Sequence, residues 1–67
     1  MENDFLITVK TKSGLCAFWQ KEIYFMETCF FDENKTRIKL KRYTTDIYST
    51  ETMDDIMSRI KTLITIN

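Results

Sequence analysis

Few of the 67 residues carry side chains suited to covalent or metal chemistry, and their spacing gives them little to work with. The chain contains no histidine, which removes the commonest general base and a principal zinc ligand. Cys16 and Cys29 stand without the second pair that a structural zinc site requires, and are expected to be free, buried thiols. Ten acidic side chains are present, and five of them gather in a turn (Asp32, Glu33) and at the start of a helix (Glu51, Asp54, Asp55). Local hydrogen bonding and the helix dipole account for them there. Gly14, the one glycine, belongs to a tight turn, so no oxyanion site or phosphate loop can be named. The expectation is a chain that is not an enzyme, with no metal, no cofactor and no small-molecule substrate.

Binding chemistry is better represented. Five of the ten basic residues (Lys35, Arg37, Lys39, Lys41 and Arg42) fall within eight positions. On a strand, Arg37, Lys39 and Lys41 share one face, opposite the apolar Ile38 and Leu40. Six aromatics (Phe18, Trp19, Tyr24, Phe25, Phe30 and Phe31) crowd the fourteen positions before this basic run. One helix can cover only one face of a small sheet, so some of these rings must lie on an uncovered face. Contiguous exposed apolar surface usually marks an interface. Trp19, Tyr24 and Phe25 are the expected aromatic anchors, with Arg37, Lys39 and Lys41 as the charged flank. The bland alternatives are ordinary partial exposure of the rings and a solvated or edge-protecting row of lysines.

The elements that must position these residues are mostly strands. Residues 5–12 are rich in β-branched side chains and alternate in their second half, with Phe5, Ile7 and Val9 on one face and Thr8, Lys10 and Lys12 on the other. Ser13-Gly14 turns the chain into a returning strand, Leu15 to Trp19. A break near Gln20-Lys21 leads to a second hairpin, whose first strand runs from Glu22 to Phe31. A helix over part of this stretch is the competing reading. Asp32 to Lys35 form the turn, and Thr36 to Tyr43 the return strand. Thr44 to Tyr48 add an edge strand or a connection, with Ile47 pointing inward.

From Thr50 to Asn67 the spacing of Met53, Ile56, Met57, Ile60, Leu63 and Ile64 predicts an amphipathic helix. Its buried face is expected to be Ile56, Met57, Ile60 and Leu63. Ser49, Thr50 and Thr52 are candidate N-caps, and Thr52 has Asp55 three residues on, as in a capping box. Residues 1–67 thus read as a single α+β domain. It is a small antiparallel β-meander of three to four strands followed by one C-terminal amphipathic helix packed on one face (ββββα).

That element order resembles a family of dimeric single-strand-binding proteins. None of the family's sequence pattern stands in this chain, so the resemblance assigns no residue. It implies a nucleic-acid reading in which the basic strand 35–42 and nearby aromatics contact phosphates and bases. Net charge argues the other way, because ten basic and ten acidic side chains cancel and leave no long-range pull on a polyanion.

The acidic start of the chain and the lack of a long apolar run predict a cytoplasmic protein with no membrane partner. A core of this size supplies roughly 3–5 kcal/mol of net stability, which favours a homodimer or docking on a larger protein. The bias toward Phe, Tyr, Met, Ile, Asn and Lys is that of AT-rich coding. Together these features suggest a phage or mobile-element accessory protein that binds and inhibits a host protein, as anti-CRISPR and other anti-defence proteins do.

Overall fold

A computed structural model of the chain describes residues 4–60 and shows a small α+β fold. Five antiparallel strands form two sheets, followed by one short helix. Strands β1 (Leu6–Thr11) and β2 (Gly14–Trp19) make a two-stranded hairpin. A 3-10 turn, Gln20–Glu22, then leads into β3 (Ile23–Phe31), β4 (Asn34–Leu40) and β5 (Ile47–Ser49), which form the second sheet in that order. Helix α1 (Met53–Met57) closes the described part of the chain. The expected meander and terminal helix are present, but split over two sheets and with a fifth strand at the edge of β4. The stretch after Gln20 is strand rather than helix, as its run of aromatic and β-branched residues favours.

Both hairpins turn over two residues, by different means. In the first, Lys12 and Ser13 keep negative φ and the positive value (128°) falls on Gly14. In the second, Asp32 and Glu33 both take positive φ, 49° and 70°, as a type I′ turn demands. Lys12 Nζ lies 2.5 Å from Asp32 Oδ2, which ties the two turns together.

Alternation sends Ile7 and Val9 of β1 inward, with Phe18 of β2 and Ile38 and Leu40 of β4. With Ile56 of α1 they form the core, and Ile23, Met26, Ile47 and Ile60 pack around it. Phe5, expected on the Ile7 and Val9 face, is only half-buried. The two sheets meet along a polar seam. Lys10 in β1 accepts from Thr50 N (3.0 Å) and Ser49 Oγ (2.7 Å) at its carbonyl, and donates its N–H to Glu51 Oε2 at 2.8 Å. The Glu51 carbonyl accepts from Thr36 Oγ1 of β4 at 2.8 Å, and its carboxylate is bridged by both terminal nitrogens of Arg59. Thr36 and Ser49 are fully buried, so these hydroxyls serve the seam and not solvent.

Within the described residues the helix is shorter than the apolar stripe from Thr50 to Asn67 suggested. It is capped as expected, with Thr52 Oγ1 accepting from Asp55 N at 3.1 Å. It ends at Met57, where Arg59 N and Ile60 N bond three residues back to Ile56 O and Met57 O, tightening the last turn. Ile56 is buried and Ile60 half-buried, but Met57, expected inside, is half-exposed. A five-residue helix presents too narrow a stripe to bury both neighbours. Leu63 and Ile64 lie outside the described residues.

Three measurements test this account. Ile56→Ala removes a fully buried side chain and should cost about 2–5 kcal/mol, comparable to the whole stability of such a domain, so urea titration should show little or no folded baseline. Glu33→Gly relieves a left-handed residue at a position that favours glycine. It should raise the urea midpoint by the equivalent of up to about 1 kcal/mol. The third concerns pH. The Arg59 hydrogen bonds, opposed by desolvation and aided by the Lys10 amide, hold the Glu51 carboxyl below the usual carboxylate range. A depressed carboxyl stabilises the fold above its unfolded pKa, about 4.3, and that contribution disappears as pH falls through the lower folded value. Melting temperatures between pH 6 and 3 should therefore fall more steeply for the natural protein than for Glu51→Gln.

Candidate interaction site

The second sheet's outer face gathers four of the residues singled out by sequence. Phe25 is half-buried, with the Tyr24 ring 5.5 Å from its own at 55° and the Arg37 guanidinium 5.4 Å from its centroid. Alternation puts Phe25 on the same face as Arg37 but would send Tyr24 to the other. Register shifts between Ile23 and Phe25, and again between Thr28 and Phe31, reset the faces of β3. Phe31 makes an edge contact with Tyr48 at 5.1 Å, and Phe30 is the most exposed large apolar side chain among the described residues.

The charge on this face is largely satisfied within the protein. Arg37 reaches Glu27 at 2.5 Å and Asp46 at 3.2 Å, and Lys39 Nζ lies 3.7 Å from Asp46 Oδ1. Burial works against the Arg37 charge, but Glu27, Tyr48 and Asp46 outweigh it and hold the guanidinium firmly protonated. The face expected to be wet and basic is thus a paired network. Lys41 lies beyond the end of β4 with an exposed side chain, and its N–H donates to the Glu22 carbonyl at 2.7 Å.

Trp19 stands apart from this network. It lines a groove of about 550 Å³ between the end of β2 and the β4–β5 connection. Phe18, Leu40 and Ile47 contribute buried or half-buried apolar lining. Leu6, Trp19 and Tyr43 stand more than half exposed around it. Its charged lining residues are Glu22 and Asp46. Each is hydrogen-bonded or paired closely through one oxygen, Glu22 with Arg42 at 3.1 Å and Asp46 with Arg37 at 3.2 Å. Glu22 Oε1 and Asp46 Oδ1 accept no hydrogen bond from the protein. Trp19, Glu22 and Tyr43 also wall a second cleft of about 370 Å³, which Asp4, Lys21 and Arg42 complete.

The structure therefore brings Tyr24, Phe25, Arg37 and Lys39 together and places Trp19 and Lys41 elsewhere. Asp46 joins the two regions, because it lines the groove and also pairs with Arg37 and Lys39. Leu6, Tyr43, Glu22 and Asp46 were not singled out from sequence. Leu6 had a signal, as the large apolar residue on the wrong side of an alternating strand. Cys16 and Cys29 are free thiols, both half-buried. Among the described residues no group of three metal-ligating side chains occurs, and no helix is long and apolar enough to cross a membrane. Compared with known protein families, curated proteins and solved structures, the chain has no significant match.

Proposed function

We propose that this chain is a non-enzymatic protein-binding module that docks through the groove framed by Leu6, Trp19 and Tyr43. The observation that carries this reading is the placement of three large, half-exposed side chains around one cavity whose deeper lining is apolar. Such an arrangement supplies aromatic anchors next to a pre-formed depression, the pattern that concentrates binding energy in protein interfaces. Tyr24, Phe25, Arg37 and Lys39 form the adjoining flank, whose paired charges set register more than they hold the complex. The partner is a host protein or a second copy of the chain. Size and AT-rich composition suggest an accessory protein of a phage or mobile element, acting in the cytoplasm by occluding its target.

Binding of single-stranded nucleic acid is the second reading, favoured by the basic strand beside exposed rings. The pairing of Arg37 and Lys39 with Glu27 and Asp46 weighs against it, since phosphates would have to displace existing partners.

Co-purification from a low-GC bacterial host, followed by titration of the captured protein, separates the two. Trp19→Ala should weaken that complex by about 2 kcal/mol or more, roughly thirtyfold in Kd, chiefly through the off-rate. Lys39→Glu with Lys41→Glu should mainly slow association. The opposite pattern, with the double reversal abolishing oligonucleotide binding and Trp19→Ala leaving host-protein binding untouched, would make the nucleic-acid reading the correct one.

A further inference from the structure

Given the docking role proposed for the groove, on which this step rests, the backbone of β2 defines the shape of the occupant. We infer that the groove takes an extended segment of a partner protein, which adds to the open edge of β2 as a further strand. Cys16, Ala17, Phe18 and Trp19 all line the groove. Successive side chains of a strand point to opposite faces, and Phe18 is buried while Ala17 and Trp19 are exposed. A cavity that touches both sets runs along the edge of the strand rather than over one of its faces.

That edge carries unused hydrogen-bonding groups. In an antiparallel pair, residues bonded to the neighbouring strand alternate with residues whose N–H and C=O point away from it. Gln20 N donates to Phe5 O at 2.7 Å, so the pairs in step with it, Ile7 with Phe18 and Val9 with Cys16, are the bonded ones. Lys10 is out of step, and directs its N–H and C=O away from β2 into the seam. Its register partner Leu15, with Ala17 and Trp19, therefore points its N–H outward on the opposite side. Among the described residues β1 is the only strand paired with β2, and no other group bonds the backbone of Leu15 or Ala17. Both residues are exposed, so an incoming strand can reach them.

The far wall sets the width. Residues 43–47 face β2 across the groove, so the opening lies between one strand edge and one connecting segment. A single extended chain fits such a slot, whereas a second copy would bring its own β1 beside its β2 and meet that connection. Four residues of edge, roughly 13 Å of strand, also offer far less surface than the roughly 800 Å² that each partner buries in a stable dimer. Charge points the same way. Glu22 pairs with Arg42, and Asp46 with Arg37 and Lys39, so the lining suits an uncharged segment. Side chains of an added strand share faces with those of β2, which sends every second one toward Phe18, Leu40 and Ile47. Those positions take branched or aromatic apolar residues, and the intervening ones pass beside Ala17 and Trp19.

Selection of a random peptide display library on the full chain supplies the probes, and Trp19, the one tryptophan, reports entry by its emission. Selected peptides are expected to carry apolar residues at alternate positions. Methylating their backbone nitrogens one at a time should weaken binding about tenfold or more at every second position and little in between, because alternate N–H groups face β2. In amide exchange, the N–H groups of Ala17 and Trp19 should become protected in the complex. Ala17→Pro removes a donor that β1 does not use, a change an edge strand accommodates, and should weaken binding about tenfold without loss of the cooperative melt. The methylation scan uses the natural protein and decides the matter if that variant does not fold.

Peptides that need Trp19 but tolerate methylation at every position, or whose apolar residues recur at steps of three and four, would keep the groove as a docking site and overturn the added strand. Binding that Trp19→Ala leaves intact, or the absence of any binding peptide, removes the docking site and the inference with it. A stable dimer that Ala17→Pro converts to monomer would show that a second copy takes the edge, and overturns the partner segment.

Discussion

Glu51 joins what would otherwise be two separate hairpins. Apolar burial draws the two sheets together but is non-directional, and it leaves their relative placement undefined. Glu51 supplies the direction. Its carboxylate accepts from Lys10 N in the first sheet and from Arg59 beyond the helix, and its carbonyl accepts from Thr36 in the second sheet. Ser49 and Thr50 saturate the Lys10 carbonyl beside it, so both polar groups of one β1 residue are fixed by three consecutive residues. Arg59 Nη1 reaches the Thr8 carbonyl as well, at 3.2 Å. Ile56 enters the core just beyond this knot, and the position of the short helix is set by it.

Much of the fold was legible from local pattern. Ile7 and Val9 are buried and Thr8 and Lys10 are not, as alternation requires, and Ile38 and Leu40 behave likewise in β4. Gly14 and the Asp32 turn mark the two reversals, and Thr52 caps the helix. The seam was not legible, for a physical reason. Ser49, Thr50 and Glu51 look like ordinary helix-start residues, and nothing local reveals that their partners lie about forty positions away in β1. The break of the stripe after Met57 is similar. Arg59 pairs with Glu51, and the backbone tightens around it after Met57.

The candidate site was partly legible. Composition pointed correctly to aromatics in excess of what one helix covers, and Trp19 and Tyr24 are indeed exposed. A one-dimensional count of lysines and arginines does not show Glu27 and Asp46 arriving across the sheet beside the basic strand. Glu27 faces Arg37 by strand register, and Asp46 by the short connection into β5. The groove itself arises from three separated segments, residues 6, 16–22 and 40–47, and no spacing rule links them.

The seam also bears on how the chain reaches its native state. Each hairpin closes between neighbours in sequence, whereas the bonds from Ser49 to Lys10 and from Arg59 to Thr8 enclose 39 and 51 residues. Loop closure of that length is entropically slower than a turn, so the joint forms after the parts it joins. During synthesis the inward face of β1 and β2 emerges first and waits, with Ile7, Val9 and Phe18 unmatched, until residue 59 is free. Neither hairpin by itself completes the core, which Ile7, Val9, Phe18, Ile38, Leu40 and Ile56 share.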